Sequence, residues 1–317
     1  MTYLPDGVTP ELYPFEGKYL EVRGGLRLHY LDEGAGEPVL MLHGNPSWSF
    51  YYRDLSLALK NSRRVIVPDH IGCGLSDKPG DDRYDYTLQS RVEDIGALVD
   101  SLDLKEKITL VVHDWGGMIG FAWAARNPER VEKLVVLNTA AFFLPSAKAF
   151  PAALALVRTP LGALLVRGFN AFARGAAWIG CKRRRMTAGL RAAYAAPYNS
   201  WKNRLATLRF VEDIPLGPGD KAYAVVSETQ DKLPLLADKP MLVCWGLKDF
   251  VFDRHFLAEW RRRFPSARVR EFPDCGHYIL EDAKEEVIPL IKDFILGDTI
   301  PHGVNRYGDT MPHGVPR

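Results

Sequence analysis

The chain has 317 residues, 47% of them apolar and 25% charged, with a net charge of +2. That suits one large α/β domain, or a core with an inserted module. No nucleic-acid-binding module is visible, so nucleic acid is excluded as a partner. No run reaches the roughly 18 apolar residues of a membrane span, and the first 17 residues, polar with three prolines, carry no apolar signal core.

Tyr19–Val22 and Leu26–Leu31 alternate apolar and polar residues around Gly24-Gly25, which predicts a β-hairpin. Val39–Leu42 is a short apolar strand running into His43-Gly44-Asn45-Pro46, with a helix expected over Tyr51–Leu59. Val65–Val67 is the next strand, and Leu88–Leu102 has helical periodicity. Ile108–Val112 is a buried strand, followed at once by a helix from about Trp115. Asn127-Pro128 stops that helix, and Val131–Leu137 is another strand. The alternation then lapses. Apolar helical runs follow at Phe150–Val157, Leu161–Phe172 and Leu190–Ala196. Strands resume at Pro240–Trp245 and Val269–Phe272, with helices over Phe252–Phe264 and Ala283–Leu296. Strands separated by helices imply a mostly parallel sheet flanked by helices. The expected organisation is an α/β core over residues 1–138 and 239–296, a helical cap inserted at 139–238, and a disordered tail at 297–317. That tail repeats Gly-Asp-Thr-x-Pro-His-Gly-Val with a period of eleven.

The strand and helix around Asp114 are separated by almost no turn, which is the setting of a nucleophile elbow. Gly116 and Gly117 supply the small residues such an apex needs, while Val112 departs from the pattern. A carboxylate nucleophile divides one hard displacement into two easier steps. Asp is also a favoured helix N-cap, and taken alone the two readings weigh equally.

Other strand ends tip the balance. Asn45 and Trp115 offer backbone and side-chain N–H groups for a leaving group or an oxyanion. His277, in Gly276-His277 after the last strand, is the candidate base. Asp249, in Gly246-Leu247-Lys248-Asp249, is the carboxylate to orient it. His43 and His113 read as structural.

Four cysteines, Cys73, Cys181, Cys244 and Cys275, show no metal-type spacing and read as reduced thiols of a cytoplasmic protein. Neither a metal nor an organic cofactor is expected. Charge is uneven. Residues 139–211 hold twelve Lys or Arg and no acid, which leaves 29 of the 41 basic residues against all 39 acidic ones elsewhere. Such a face suits an acidic partner, an anionic membrane surface, or plain solvent.

On His43-Gly44-Asn45-Pro46, Val112-His113-Asp114-Trp115-Gly116-Gly117, Gly246-Leu247-Lys248-Asp249 and Gly276-His277, the chain resembles the haloalkane dehalogenase branch of the α/β-hydrolases over roughly residues 19–296. The order Asp114, Asp249, His277 matches nucleophile, acid, histidine in that fold. Asn45 and Trp115 combined with the acid at Asp249, and no carboxylate in Asn138-Thr139-Ala140, resemble its third subfamily. Within it the chain most resembles the β-lactone decarboxylases of bacterial long-chain olefin biosynthesis. The resemblance implies an α/β-hydrolase fold and an Asp114 nucleophile. It also implies a hydrophobic small-molecule substrate, with olefin-pathway enzymes as partners in a multi-enzyme assembly. Attack at the β-carbon or at the carbonyl of the lactone both stay open. Haloalkane dehalogenase is the alternative. An epoxide hydrolase would need two cap tyrosines, for which Tyr194, Tyr198 and Tyr223 are available. A non-catalytic scaffold would not need the full set of nucleophile, base and acid.

Overall fold

The computed structural model describes residues 4–297. The tail repeat beyond Gly297 lies outside them.

The expected hairpin forms from β1 (Lys18–Val22) and β2 (Leu26–Glu33), paired antiparallel. Gly24 and Gly25 between them take φ of +67° and +68°, a conformation that a Cβ would resist. Strand β2 pairs antiparallel with β4 (Arg64–Pro68). Strands β3 (Pro38–Leu42), β5 (Ile108–Asp114), β6 (Val131–Thr139), β7 (Met241–Gly246) and β8 (Arg268–Phe272) run parallel with β4. The eight-stranded order is β1-β2-β4-β3-β5-β6-β7-β8.

Strands β3, β5 and β7 are buried along their whole length, as continuous apolar runs are when helices cover both sheet faces. Alternation along β5 divides its side chains between two cores. Leu110 and Val112 pack with α2 (Leu88–Ser101), α3 (Trp115–Arg126) and α10 (Arg254–Arg263). Val111 packs on the other side with α1 (Arg53–Leu59) and α12 (Lys284–Leu296). A short helix, α11 (Ile279–Asp282), precedes α12. The helix expected from Tyr51 opens as a 3-10 turn, Ser49–Tyr52, and becomes α-helical at Arg53.

The strand order reverses at β3. From β3 the chain moves outward to β4, then returns to β3's other side as β5. A crevice opens at the C-terminal ends of strands at such a switch point, and both Asn45 and Asp114 sit there.

Between β6 and β7 the described residues form helices and no strand: α4 (Ala152–Val157), α5 (Pro160–Phe169), α6 (Ala171–Ile179), α7 (Ala188–Ala195), α8 (Leu205–Glu212) and α9 (Tyr223–Lys232). The single helix expected over Leu161–Phe172 is two. Asn170 adopts a left-handed conformation, φ +55°, and turns the chain between α5 and α6. Asn is among the few side chains that tolerate this.

Among the described residues, four of the twelve cations in 139–211 find carboxylates within the protein. Arg183 pairs with Asp274 and Glu286, Arg184 with Glu285, Arg209 with Asp81, and Lys148 with Asp253. Asp282 accepts the backbone N–H groups of Lys182, Arg183 and Arg184 together with that of Gly276. The Lys182–Arg185 run is therefore chiefly a seat against the acidic core rather than a free face. Below it, Arg53 pairs with Glu281 at 2.5 Å and Tyr194 donates to the same carboxylate at 2.7 Å, all three buried.

Candidate active site

Asp114 ends β5 and opens α3 with φ +52° and ψ −128°. Few L-residues adopt this strained geometry, and where it occurs it tends to mark function. The neighbouring glycines are required by contact. A Cβ on Gly116 would stand 1.9 Å from the Leu42 carbonyl oxygen, and one on Gly44 would stand 2.0 Å from Asp114 Oδ1. The Asp114 side chain makes no N-cap hydrogen bond to α3, which leaves the capping reading without support, and Asp114 lines the crevice instead.

Two backbone donors hold that carboxylate. Asn45 N–H donates to Oδ1 at 2.5 Å, and the N–H of Trp115 also engages it. Burial pushes the Asp114 carboxyl above the usual range. The nearby His277 and the two N–H groups offset this only in part.

His277 stands with Nε2 3.7 Å from Asp114 Oδ2 and Nδ1 2.8 Å from Asp249 Oδ2. The arrangement is that of a base held in one tautomer by a carboxylate. Burial works against the His277 cation, but the charge and hydrogen bond of Asp249, with the charge of Asp114, hold the ring above its ordinary value. Asp249 is itself held by the Val251 N–H at 2.8 Å and by Asn138 Nδ2 at 3.1 Å.

Asn138 was not anticipated as part of the site. It leaves β6 at φ +31°, and its amide also spans Gly246 through two bonds, Nδ2 to the Gly246 oxygen at 3.0 Å and the Gly246 N–H to Oδ1 at 2.8 Å. Its place at a strand end was the available signal. Thr207 was missed as well. Its carbonyl accepts Asn45 Nδ2 at 3.0 Å, so helix α8 of the insertion orients the candidate leaving-group donor. One Nδ2 hydrogen remains, and Asn45 Oδ1 is buried without a protein partner. Trp115 packs on Phe210 of α8 at 5.3 Å between rings.

The two histidines read as structural do hold the loops. His43 Nε2 accepts the His70 N–H at 3.1 Å. His113 Nε2 bonds the His277 carbonyl at 2.9 Å.

Asn45, Asp114, Trp115 and His277 share one cavity of about 340 Å³. Its remaining walls are apolar, among them Phe142, Phe143, Leu154, Leu165, Phe172 and Phe252. Among the described residues no cluster could hold a metal ion, and no helix is long and apolar enough to cross a membrane.

A family profile described as the alpha/beta hydrolase fold matches residues 37–284. The chain belongs to the α/β-hydrolase family. Within that family it is of the haloalkane dehalogenase type. This α/β-hydrolase is similar to proteins named cis-3-alkyl-4-alkyloxetan-2-one decarboxylase from Shewanella oneidensis, at 61% identity over 90% of this chain and 89% of that one, and from Xanthomonas campestris, at 51% over 89% and 97%. Its fold is similar to the crystal structure of haloalkane dehalogenase DbeA from Bradyrhizobium elkani, with a TM-score of 0.78 and 27% identity over 89% of this chain and 97% of that one.

The geometry of this α/β-hydrolase counts against an epoxide hydrolase. Tyr194 donates to Glu281, Tyr198 donates to the Ser47 carbonyl at 3.0 Å, and Tyr223 packs on Phe143. None of the three lines the cavity.

Proposed function

We propose that this α/β-hydrolase opens a cis-β-lactone, a 3,4-dialkyl-oxetan-2-one, and releases carbon dioxide to leave a long-chain cis-alkene. The observation that carries the reading is the place of Asp114. It is a poised carboxylate at the end of an apolar cavity, in a chain 61% identical to a decarboxylase of that lactone class.

In this reading Asp114 attacks the ring β-carbon through Oδ2. The ring C–O bond breaks and its electrons remain on the new carboxylate, steadied by the Asn45 and Trp115 side-chain donors. That carboxylate then leaves as carbon dioxide. Its electrons form the C=C bond, and the Asp114–carbon bond breaks to restore the carboxylate. No water is consumed and no proton is gained or lost overall. The apolar walls favour the loss of a neutral gas from a charged group. Inversion at the attacked carbon followed by anti elimination turns a cis lactone into a cis alkene. Analysis of the alkene isomer tests this route: the cis isomer supports it, and a trans product would sink it.

Haloalkane dehalogenation is the second reading, favoured by one observation. Asn45 N–H on Asp114 Oδ1 and His277 beside Oδ2 are placed to hydrolyse an Asp114 alkyl ester, with the oxyanion forming on Oδ1 itself. We take residues 139–238 as the cap of the site, and Asp114, His277, Asp249, Asn45 and Trp115 as its working residues. We place the enzyme in the cytoplasm on the strength of its four buried, unbridged cysteines.

A further inference from the structure

We propose that the cap docks on an anionic membrane surface and draws its substrate from the lipid. The inference rests on the long-chain lactone reading, because such a substrate and its alkene product are uncharged and partition into bilayers.

Among the described residues, the cap carries a rim of exposed apolar side chains. Phe169 is 65% exposed, Trp178 55%, Trp201 49% and Leu161 59%. Phe169 and Trp178 line one groove and Trp201 stands beside Gly168, and exposed apolar side chains grouped in this way mark an interaction surface. Leu156, Ile179 and Phe250 line the active-site cavity and are themselves partly exposed, which brings the cavity wall to the cap surface. Ile179 follows Trp178 directly in α6.

Cations accompany the rim. The ion pairs that seat the cap use Lys148, Arg183, Arg184 and Arg209. The cations near the aromatics are different ones. Arg191 lies over the Trp178 ring at 3.9 Å and Arg167 over Trp201 at 4.4 Å. Among the described residues, Arg204 donates to the carbonyls of Tyr198, Arg167 and Gly168. Arg174, Arg191 and Arg204 line one groove with Phe169 and Trp178, and among the described residues Asp6 is the one carboxylate that lines it. Indole rings beneath guanidinium groups suit the headgroup level of a bilayer, with apolar bodies inward and charge at the phosphates. The excess of cations selects an anionic leaflet.

The test is sedimentation of the full chain with vesicles of phosphatidylcholine, with or without phosphatidylglycerol. The expected result is binding to the anionic vesicles that raised salt reverses. Joint Arg174→Glu and Arg191→Glu substitution should lower that binding about tenfold. Joint Phe169→Ala and Trp178→Ala substitution should lower it comparably. Both variants should keep the wild-type rate on a short-chain soluble lactone, which certifies their fold. Absence of vesicle binding, or variants that bind like the wild type, would overturn the proposal. So would a dimer in light scattering that Trp178→Ala dissolves, because a second copy would then cover the rim. Sedimentation needs no turnover. Vesicle binding by a chain inert to lactones would uphold the surface and overturn the activity.

Discussion

Asn138 clamps Asp249. Its Nδ2 donates to Asp249 Oδ2 at 3.1 Å, and that same oxygen bonds His277 Nδ1 at 2.8 Å. The amide therefore fixes the carboxylate that fixes the imidazole. Asn138→Ala leaves a buried carboxylate short of a donor, a loss of about 1–3 kcal/mol. Bromide turnover, the reaction that uses His277 as a base, should fall roughly tenfold with KM nearly unchanged, since Asn138 does not line the cavity. An unchanged turnover number would show that Asp249 is held well enough by Val251 alone.

The two chemistries should separate by pH. Both need Asp114 ionised, and its carboxyl is held above the usual range by burial. Only dehalogenation needs His277 as a neutral base, and the ring is held above its ordinary value with Asp249 and Asp114 overcoming burial. Bromide turnover should therefore rise through the raised His277 pKa as pH increases. Alkene formation should reach its plateau at lower pH. Profiles of the two rates on one preparation check this, and coincident acid limbs would tie His277 to both reactions.

The site should weaken the fold at neutral pH. Asp114 binds its proton more tightly in the folded chain than in the unfolded one. Between those two pKa values the folded state holds more protons, so stability falls as pH rises through them. Asp114→Asn removes a buried charge at nearly constant shape. Its melting temperature should exceed the wild type's by about 2 °C or more at pH 8, with a smaller gap at pH 5. An equal gap at both pH values would contradict the electrostatic origin.

Gly175 offers control of chain length. It lines the cavity on α6, and an added Cβ would meet nothing within 4 Å. Gly175→Leu should keep the fold and project into the alkyl path. The rate on long-chain lactones should fall about tenfold or more relative to short ones, read as a ratio of kcat/KM values. Equal losses at all chain lengths would show that the long chain runs elsewhere.

Much of the fold and of the candidate site is legible in the sequence because both sit in local patterns. Ile108–Phe121 joins a β-branched strand to a helix with no room for a loop, and Gly116 beside Leu42 shows why only glycine serves there. Asn45, Asp249 and His277 stand at strand ends, where a parallel sheet gathers loops. What was illegible depends on distance. Asn138 carries no motif, and its partner lies 111 residues away. Thr207 acts through its carbonyl, which side-chain chemistry does not betray. The cations at Arg183 and Arg184 looked free because their carboxylates lie 91 to 103 residues further on. The break at Asn170 rests on one left-handed residue between two apolar runs, and apolar periodicity cannot register it.

The most direct test of the account is one purified preparation given a long-chain cis-β-lactone and, separately, a 1-bromoalkane, with Asp114→Ala as the blank. Alkene, carbon dioxide and bromide would be followed together. The account expects alkene and carbon dioxide in equal amounts, formed faster than bromide, with all three lost in the variant. Rapid bromide release with an inert lactone, or alkene formation that survives Asp114→Ala, would contradict it.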